Sequence, residues 1–208
     1  GILETAKSFS SIKTLYIKGW NDTQWAIANM DKIAKCTNLK YLRLGNVDWD
    51  YIDNRTQVAS LTNLEKLANL EYLTVLELYK MKVNDNDYSA IGKIKSLTNL
   101  SINLCNISDV SWIGSLENLT NLTIINSQLN KGIKALSNLS KLKYLNLQNN
   151  TLYDMSLYEN QVYNTCEVLA SMNKYKGGAL ENLFLDGNPN ITDFSFVKEC
   201  KWTSKSGF

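Results

Sequence analysis

The spacing of leucine is the feature that most constrains how this chain can fold. The stretch NLSKLKYLNLQNNTL, residues 138–152, carries Leu142, Leu145, Leu147 and Leu152, with Asn150 before the last of them. An amphipathic helix repeats its apolar residues every three or four positions, and a half-buried strand repeats them every two. This spacing fits neither period alone, which predicts a unit that contains a strand followed by a turn.

The same unit recurs along the chain. Its pattern is L-x-x-L-x-L-x-x-N-x-L, in which other apolar residues can replace leucine. Seven units fit, the first two more loosely, and they start at residues 12, 39, 73, 97, 119, 142 and 180. The three central intervals are 24, 22 and 23 residues, and longer intervals leave room for insertions near 48–69 and 153–176. Periods of roughly 20 to 50 residues are typical of solenoids.

Each part of the unit has a structural reason. The L-x-L segment predicts a short strand whose leucines point inward and whose x residues point outward. The asparagine predicts a buried amide that hydrogen-bonds the turns of its own coil and the next one. Asn150 and Asn188 hold this position, and Cys105 and Ser127 replace the asparagine in two units. Stacked coils would form a parallel sheet and bury one continuous core.

The pattern resembles the leucine-rich-repeat superfamily over nearly the whole chain. Residues 107–113 and 191–197 both read I-[ST]-D-Φ-S-Φ-Φ, where Φ is apolar. This is similar to the short repeats of bacterial internalins, although Trp112 and Phe196 stand where those repeats usually have proline. The resemblance implies an α/β fold, a right-handed solenoid with a concave parallel β-sheet and with short helices or 3₁₀ turns on its convex side.

The repeat pattern predicts a single domain over residues 1–208. We expect an N-terminal cap at 1–11, about seven repeats over 12–197 and a C-terminal cap or tail at 198–208. The insertion at 48–69 is predicted to contain a helix near 54–68, and the insertion at 153–176 a longer convex helix. Each insertion is either an enlarged convex element without a partner or a lateral contact site.

The composition argues against catalytic and metal sites. The chain has no histidine, which removes the usual general base and the commonest metal ligand. The four cysteines form no C-x-x-C pair, and Asp85-Asn86-Asp87 has only part of a calcium loop. We therefore expect no enzymatic activity, no cofactor and no metal. The net charge of +2 gives no support for a nucleic-acid partner, and the absence of a long apolar run predicts no membrane span.

The outward strand positions supply the candidate binding site. They form rows across the predicted sheet, and the aromatic and charged members are concentrated in the first three coils. The candidate binding residues are Tyr16, Lys18, Tyr41, Arg43, Glu77, Tyr79, Tyr144, Asn146 and Phe184. Tyrosine and arginine are enriched at interface hot spots, so the first three coils predict a protein-binding patch. The alternative is that these residues are solvated and were selected for strand propensity.

Three functions fit this surface. The resemblance implies a non-catalytic, adhesin-like recognition domain that is bacterial, lies at the cell surface or outside the cell, and binds a protein. An intracellular scaffold or inhibitor is the second hypothesis, and carbohydrate binding through the aromatic and amide rows is the third. The N-terminal residues of this sequence do not have the basic-then-apolar pattern of a leader. A leader upstream of Gly1 in the complete gene would favour the first hypothesis.

Overall fold

The structure is a computed structural model that describes residues 9–18, 26, 28–45, 59–152, 165–174, 180–192 and 194. Several predictions lie outside these residues. They are the cap at 1–8, the start of the first insertion at 48–58, most of the second insertion and the C-terminal tail at 198–208.

Parallel strands dominate the described fold. The described residues include nine strands: β1 (Thr14–Ile17), β2 (Tyr41–Leu44), β3 (Ala59–Leu61), β4 (Val75–Tyr79), β5 (Met81–Val83), β6 (Asn99–Asn103), β7 (Asn121–Ile125), β8 (Tyr144–Asn146) and β9 (Asn182–Phe184). Seven of them form one sheet in the order β1-β2-β4-β6-β7-β8-β9, and β3 pairs with β5 in a second, two-stranded sheet. The seven strands of the large sheet fall on the seven sequence units in order, as a leucine-rich-repeat solenoid requires.

The register of the large sheet stacks equivalent residues of successive coils. Leu42 pairs with Leu76, which pairs with Leu100, and the row continues through the later strands. These side chains are at most 2% exposed, whereas most of the alternate residues of the same strands are at least partly exposed. Burying each leucine contributes about 1.5–3 kcal/mol. Alternation along the strand and stacking between strands together build the single core.

Buried polar side chains join the turns of adjacent coils. The Asn150 amide donates to the carbonyl oxygens of Leu147, in its own coil, and of Ile124, in the preceding one, at 2.9 and 2.7 Å. Its oxygen accepts from the Leu129 amide at 3.2 Å. Asn188 repeats the arrangement one coil later. The prediction that this asparagine side chain bonds with the next coil is therefore wrong in direction. Asn150 bonds instead with the preceding coil.

Short helices connect the strands. The α-helices are α1 (Met30–Ile33), α2 (Asp85–Ile91) and α3 (Thr165–Lys174), and 3₁₀ helices span Phe9–Ser11, Leu64–Asn69, Ile113–Ser115 and Ile133–Asn138. Helix α3 lies within the helix predicted for the second insertion. No helix among the described residues is both long and apolar enough to cross a membrane.

The helix predicted near 54–68 is wrong over the part that the structure describes. Residues Ala59–Leu61 form strand β3, and Leu64–Asn69 form a 3₁₀ helix. The buried leucines at 61, 64, 67 and 70 recur every third residue. A 3₁₀ helix has three residues per turn and so places residues of that spacing on one face.

Candidate functional site

The first three strands of the large sheet bring the predicted patch together. Pairing of β1 with β2 sets Tyr16 beside Arg43, and pairing of β2 with β4 sets Arg43 beside Glu77. Tyr41 and Tyr79 flank this row on the same face, because residues two positions apart on a strand point the same way. We call these five residues the tyrosine–arginine cluster.

Arg43 is the centre of the cluster. Its Nε donates to Glu77 Oε2, and its Nη2 donates to the Tyr41 hydroxyl at 3.0 Å. The guanidinium carbon lies 5.3 Å from the ring centroid of Tyr16, 5.9 Å from that of Tyr41 and 5.5 Å from that of Tyr79. Distances under about 6 Å allow cation–π attraction, so three rings and a carboxylate fix one arginine side chain.

The cluster is closely bonded and nearly neutral, yet it remains accessible. The side chains of Arg43 and Glu77 are 21% and 17% exposed, and Tyr16 is 49% exposed. Burial, followed by the neighbouring Glu77 carboxylate, raises the pKa of the Tyr41 hydroxyl. The guanidinium and carboxylate charges offset each other, which leaves aromatic faces and hydroxyl groups as the features presented to a partner.

Lys18 stands apart from this arrangement. It follows β1 directly and is exposed. Within the described residues it has no ion-pair partner. The structure therefore supports it as an exposed neighbour of the patch rather than as one of the residues that Arg43 organises.

The far end of the sheet holds a second aromatic group. Tyr144 and Phe184 lie with ring centroids 5.3 Å apart and planes tilted by 42°. Strand β8 is three strands from β4, which is about 14 Å at the usual strand spacing of about 4.8 Å. The predicted residues therefore form two separate aromatic groups, with Ser101 and Thr123 in the row between them.

The prediction that Asn146 is an accessible residue of the binding site needs correction. It lies in the same row as Phe184 but is only 8% exposed. Its amide nitrogen donates to Gln148 Oε1 at 3.0 Å, and its oxygen accepts from the Gln148 amide at 3.1 Å. Both ends of the side chain are thus occupied within the protein, so Asn146 supports its neighbours instead of offering an accessible amide.

Asn103, which also occupies an outward position in the repeat, is buried for a similar reason. Its oxygen accepts from Asn126 Nδ2 at 2.9 Å, and Asn126 Oδ1 accepts in turn from Asn149 Nδ2 at 2.9 Å. The three amides form a row at the ends of successive strands. The x-L-x-L-x pattern gives no signal for this row, because it reports alternation and not which side chains cover one another.

Sequence reasoning also missed a cleft outside the large sheet. It has a volume of about 250 Å³ and is lined by Asp85, Tyr88, Ser89, Asp109, Ser111 and Trp112. The one available signal was Trp112, which replaces the proline usual in the turn motif. No group of three or more acidic or cysteine side chains that could hold a metal occurs in the described part of the chain.

A family model described as a leucine-rich repeat region matches residues 2–200. The chain belongs to the leucine-rich-repeat family. Leucine-rich-repeat domains are generally protein-binding modules and are typically non-enzymatic. A search of the curated proteins found no match.

Solved structures share this leucine-rich-repeat fold. Internalin C2 from Listeria monocytogenes is 22% identical, with a TM-score of 0.59 over 94% of this chain and 80% of the internalin chain. A leucine-rich-repeat protein of Leptospira interrogans is 18% identical, with a TM-score of 0.50 over 90% of this chain and 51% of the other. At these identities the likeness concerns the fold, and the relatives include an internalin as the turn motif predicts.

Proposed function

We propose that this leucine-rich-repeat domain binds a protein through the face of its large sheet, with the tyrosine–arginine cluster as the anchor. The observation that carries the proposal is the fixed position of Arg43 between the rings of Tyr16, Tyr41 and Tyr79 and against Glu77. Tyrosine and arginine dominate interface hot spots because they combine contact area with hydrogen bonding.

Preorganisation supports this proposal. A flexible arginine would lose about 0.5–1.5 kcal/mol of side-chain freedom on binding. Arg43 is already held by its contacts with Glu77 and Tyr41, so less freedom remains to be lost. The exposed ring of Tyr16 then offers an aromatic face whose position is set by its packing on Tyr41, at 4.9 Å between ring centroids.

The finer assignment is an adhesin-like bacterial domain at the cell surface or secreted, with no catalytic activity. The internalin-like turn motif at 107–113 supports it. In the structure Asp109 Oδ1 accepts from the Ser111 amide at 2.8 Å, which is the role that the motif predicts for aspartate. The complete open reading frame tests this assignment: a leader and a wall-anchoring segment would support it, and their absence would favour an intracellular scaffold or inhibitor.

A selection from a displayed peptide library tests the binding face. Peptides enriched on the immobilised wild-type domain would be measured by biolayer interferometry against a Tyr16→Ala/Arg43→Ala variant. We expect at least about a tenfold loss of affinity, which corresponds to about 1.4 kcal/mol. Tyr72→Ala is the matched control, since Tyr72 is 55% exposed but lies in a turn before β4.

The outcomes separate clearly. Loss of binding by the double variant, with the Tyr72 variant unaffected, supports the cluster as the anchor. Equal affinity of the double variant and the wild type, with both domains folded by circular dichroism, would falsify the proposal.

Carbohydrate binding is a second candidate, favoured by one observation. The Tyr144 ring packs against Phe184, and the register places Asn121 and Asn182 on either side of Tyr144. An aromatic face between amide groups suits a sugar ring. A glycan array probed with the wild type and with Tyr144→Ala tests this: signals that require Tyr144 support the candidate, and an array without signals removes it.

A further inference from the structure

We propose that the cleft between α2 and residues 109–112 binds a primary alkylammonium group. The end of a lysine side chain on a partner protein and a free diamine both present this chemistry. The site lies outside the large sheet, so the proposal is independent of the binding face described above.

The size of the cleft limits what it can hold. Its volume of about 250 Å³ is below the range of roughly 300–1,000 Å³ that is typical of sites for whole small molecules. A single extended side chain or a short amine fits such a volume. Because the cleft is open to solvent beside the exposed Asp85 and Ser111, a side chain on another molecule can reach it.

Acceptors outnumber available donors in the cleft. The Trp112 indole nitrogen already donates to the Asp109 carbonyl at 3.1 Å, and the Ser89 hydroxyl already donates to the Asn86 carbonyl at 2.7 Å. Asp109 Oδ1 accepts from the Ser111 amide, which leaves Oδ2. Asp85 supplies a second carboxylate among the residues that line the cleft. A neutral sugar needs donors and acceptors from its site, whereas an ammonium group offers three donors and no acceptor.

Charge and aromatic surface favour the same ligand. No described residue that lines the cleft is basic, so the two carboxylates have no cation of the protein between them. Trp112 and Tyr88 line the cleft with aromatic side chains, and an ammonium group over such a ring is attracted to its electron-rich face. The Tyr88 hydroxyl donates to Asn106 Oδ1 at 3.1 Å, so its proton is already used within the protein.

A calcium ion fits the cleft less well than an ammonium group. Calcium takes six to eight oxygen ligands, most of them negatively charged or carbonyl oxygens. The third nearby carboxylate, Asp87, is turned away: it accepts from the Leu64 amide at 3.0 Å and from Asn84 Nδ2 at 2.5 Å. Two aspartates therefore remain for a cation, which suffices for a monovalent ammonium ion.

Titrations followed by ¹H–¹⁵N NMR on the whole domain test the proposal. The probes are Nα-acetyl-lysine methylamide, which keeps its side-chain ammonium group, and 1,5-diaminopentane. Nα-acetyl-norleucine methylamide is the neutral analogue of the first. We expect both amines to shift the amide signals around Asp85, Ser89 and Ser111 saturably, with a Kd on the order of 1 mM. The norleucine probe should not shift them. Tighter binding of the lysine probe would indicate a protein partner, and tighter binding of the diamine a free amine.

Isosteric variants complete the test. An Asp85→Asn/Asp109→Asn variant keeps an oxygen for the Ser111 amide but removes both charges, so its amine affinity should fall at least about tenfold. Glu117→Gln removes an exposed charge outside the cleft and should leave amine binding unchanged. Equal shifts from the norleucine probe, unchanged amine binding by the double variant, or saturable binding of CaCl₂ at lower concentration than the amines would each overturn the proposal.

Discussion

At the residue scale, the buried turn asparagine links each coil to the coil before it. Asn150 is 3% exposed and bonds with backbone groups of two coils. Cys105 occupies the same position with a single sulfur atom, which accepts from the Met81 amide at 3.5 Å and has its one proton within reach of the Asn103 and Leu78 carbonyl oxygens, at 3.3 and 3.7 Å. Its burial raises the thiol pKa to about 12, so it remains neutral and structural at neutral pH. Different side chains can thus satisfy one backbone requirement.

Removing the asparagine amide should be costly. Asn150→Ala leaves the Leu129 amide and the Ile124 and Leu147 carbonyls without this partner in the core. An unsatisfied buried group costs about 1–3 kcal/mol, and we expect a total loss of about 3 kcal/mol because water can compensate in part. Urea unfolding of the variant gives this value.

Asn118→Ala is the control for this variant. Asn118 is exposed; its side-chain nitrogen donates to the Lys95 carbonyl at 3.1 Å, and its oxygen accepts from Lys141 Nζ at 2.7 Å, both at the surface. Its loss should change the free energy of unfolding by less than about 0.5 kcal/mol. Similar losses for the two variants would mean that the buried amide adds nothing beyond an exposed one.

At the element scale, the end of a strand decides how closely the next strand can approach. Strand β2 ends at Leu44, and Gly45 follows with a φ of 105°. A Cβ atom at residue 45 would lie 1.9 Å from the Tyr79 carbonyl oxygen of β4. The strand that carries Arg43 and the strand that carries Glu77 therefore approach each other at a position that requires glycine.

Gly45→Ala should consequently destabilise the domain by about 3 kcal/mol, since backbone strain and a backbone contact act together. Thermal and urea unfolding measure the loss. Ser140→Ala, in an exposed turn, serves as the reference and should change stability little. If Gly45→Ala lost under about 0.5 kcal/mol, the Tyr79 carbonyl would have to move aside without cost, contrary to this explanation.

At the scale of the whole molecule, stability depends on contacts between neighbouring coils. Each coil of a solenoid contacts only the adjacent coils, so contacts with more distant coils cannot compensate for a weakly packed end. Central strands have neighbours on both sides, and their inward residues are buried. In β1 only one neighbouring strand is described, and Leu15 is only partly buried.

Hydrogen exchange should follow this difference. We expect the backbone amides of β6 and β7 to exchange slowest and those of β1 to exchange markedly faster, because local opening at one end breaks fewer contacts. Exchange measured by mass spectrometry on peptides that cover Thr14–Ile17 and Asn121–Ile125 tests it. Equal protection of the two strands would indicate that the domain opens only as a whole.

The candidate site was largely predictable because it follows from strand register. Once each L-x-L is aligned, Tyr16, Arg43 and Glu77 must lie side by side, and the structure places them so. The role of these residues in binding stays a prediction. The burial of Asn146 was not predicted, because strand alternation assigns it to the outward face and does not report how its amide bonds with Gln148.

The sequence by itself determined the repeat, the seven stacked strands and the side of each strand that faces the core, because these depend on periods within about twenty residues. Only the tertiary structure decided which polar side chains bond with one another and become buried between coils. The backward reach of Asn150 and the cleft beside Trp112 both depend on residues brought together from different coils. Spacing along the chain cannot report such contacts, because their energies depend on distances across the stack.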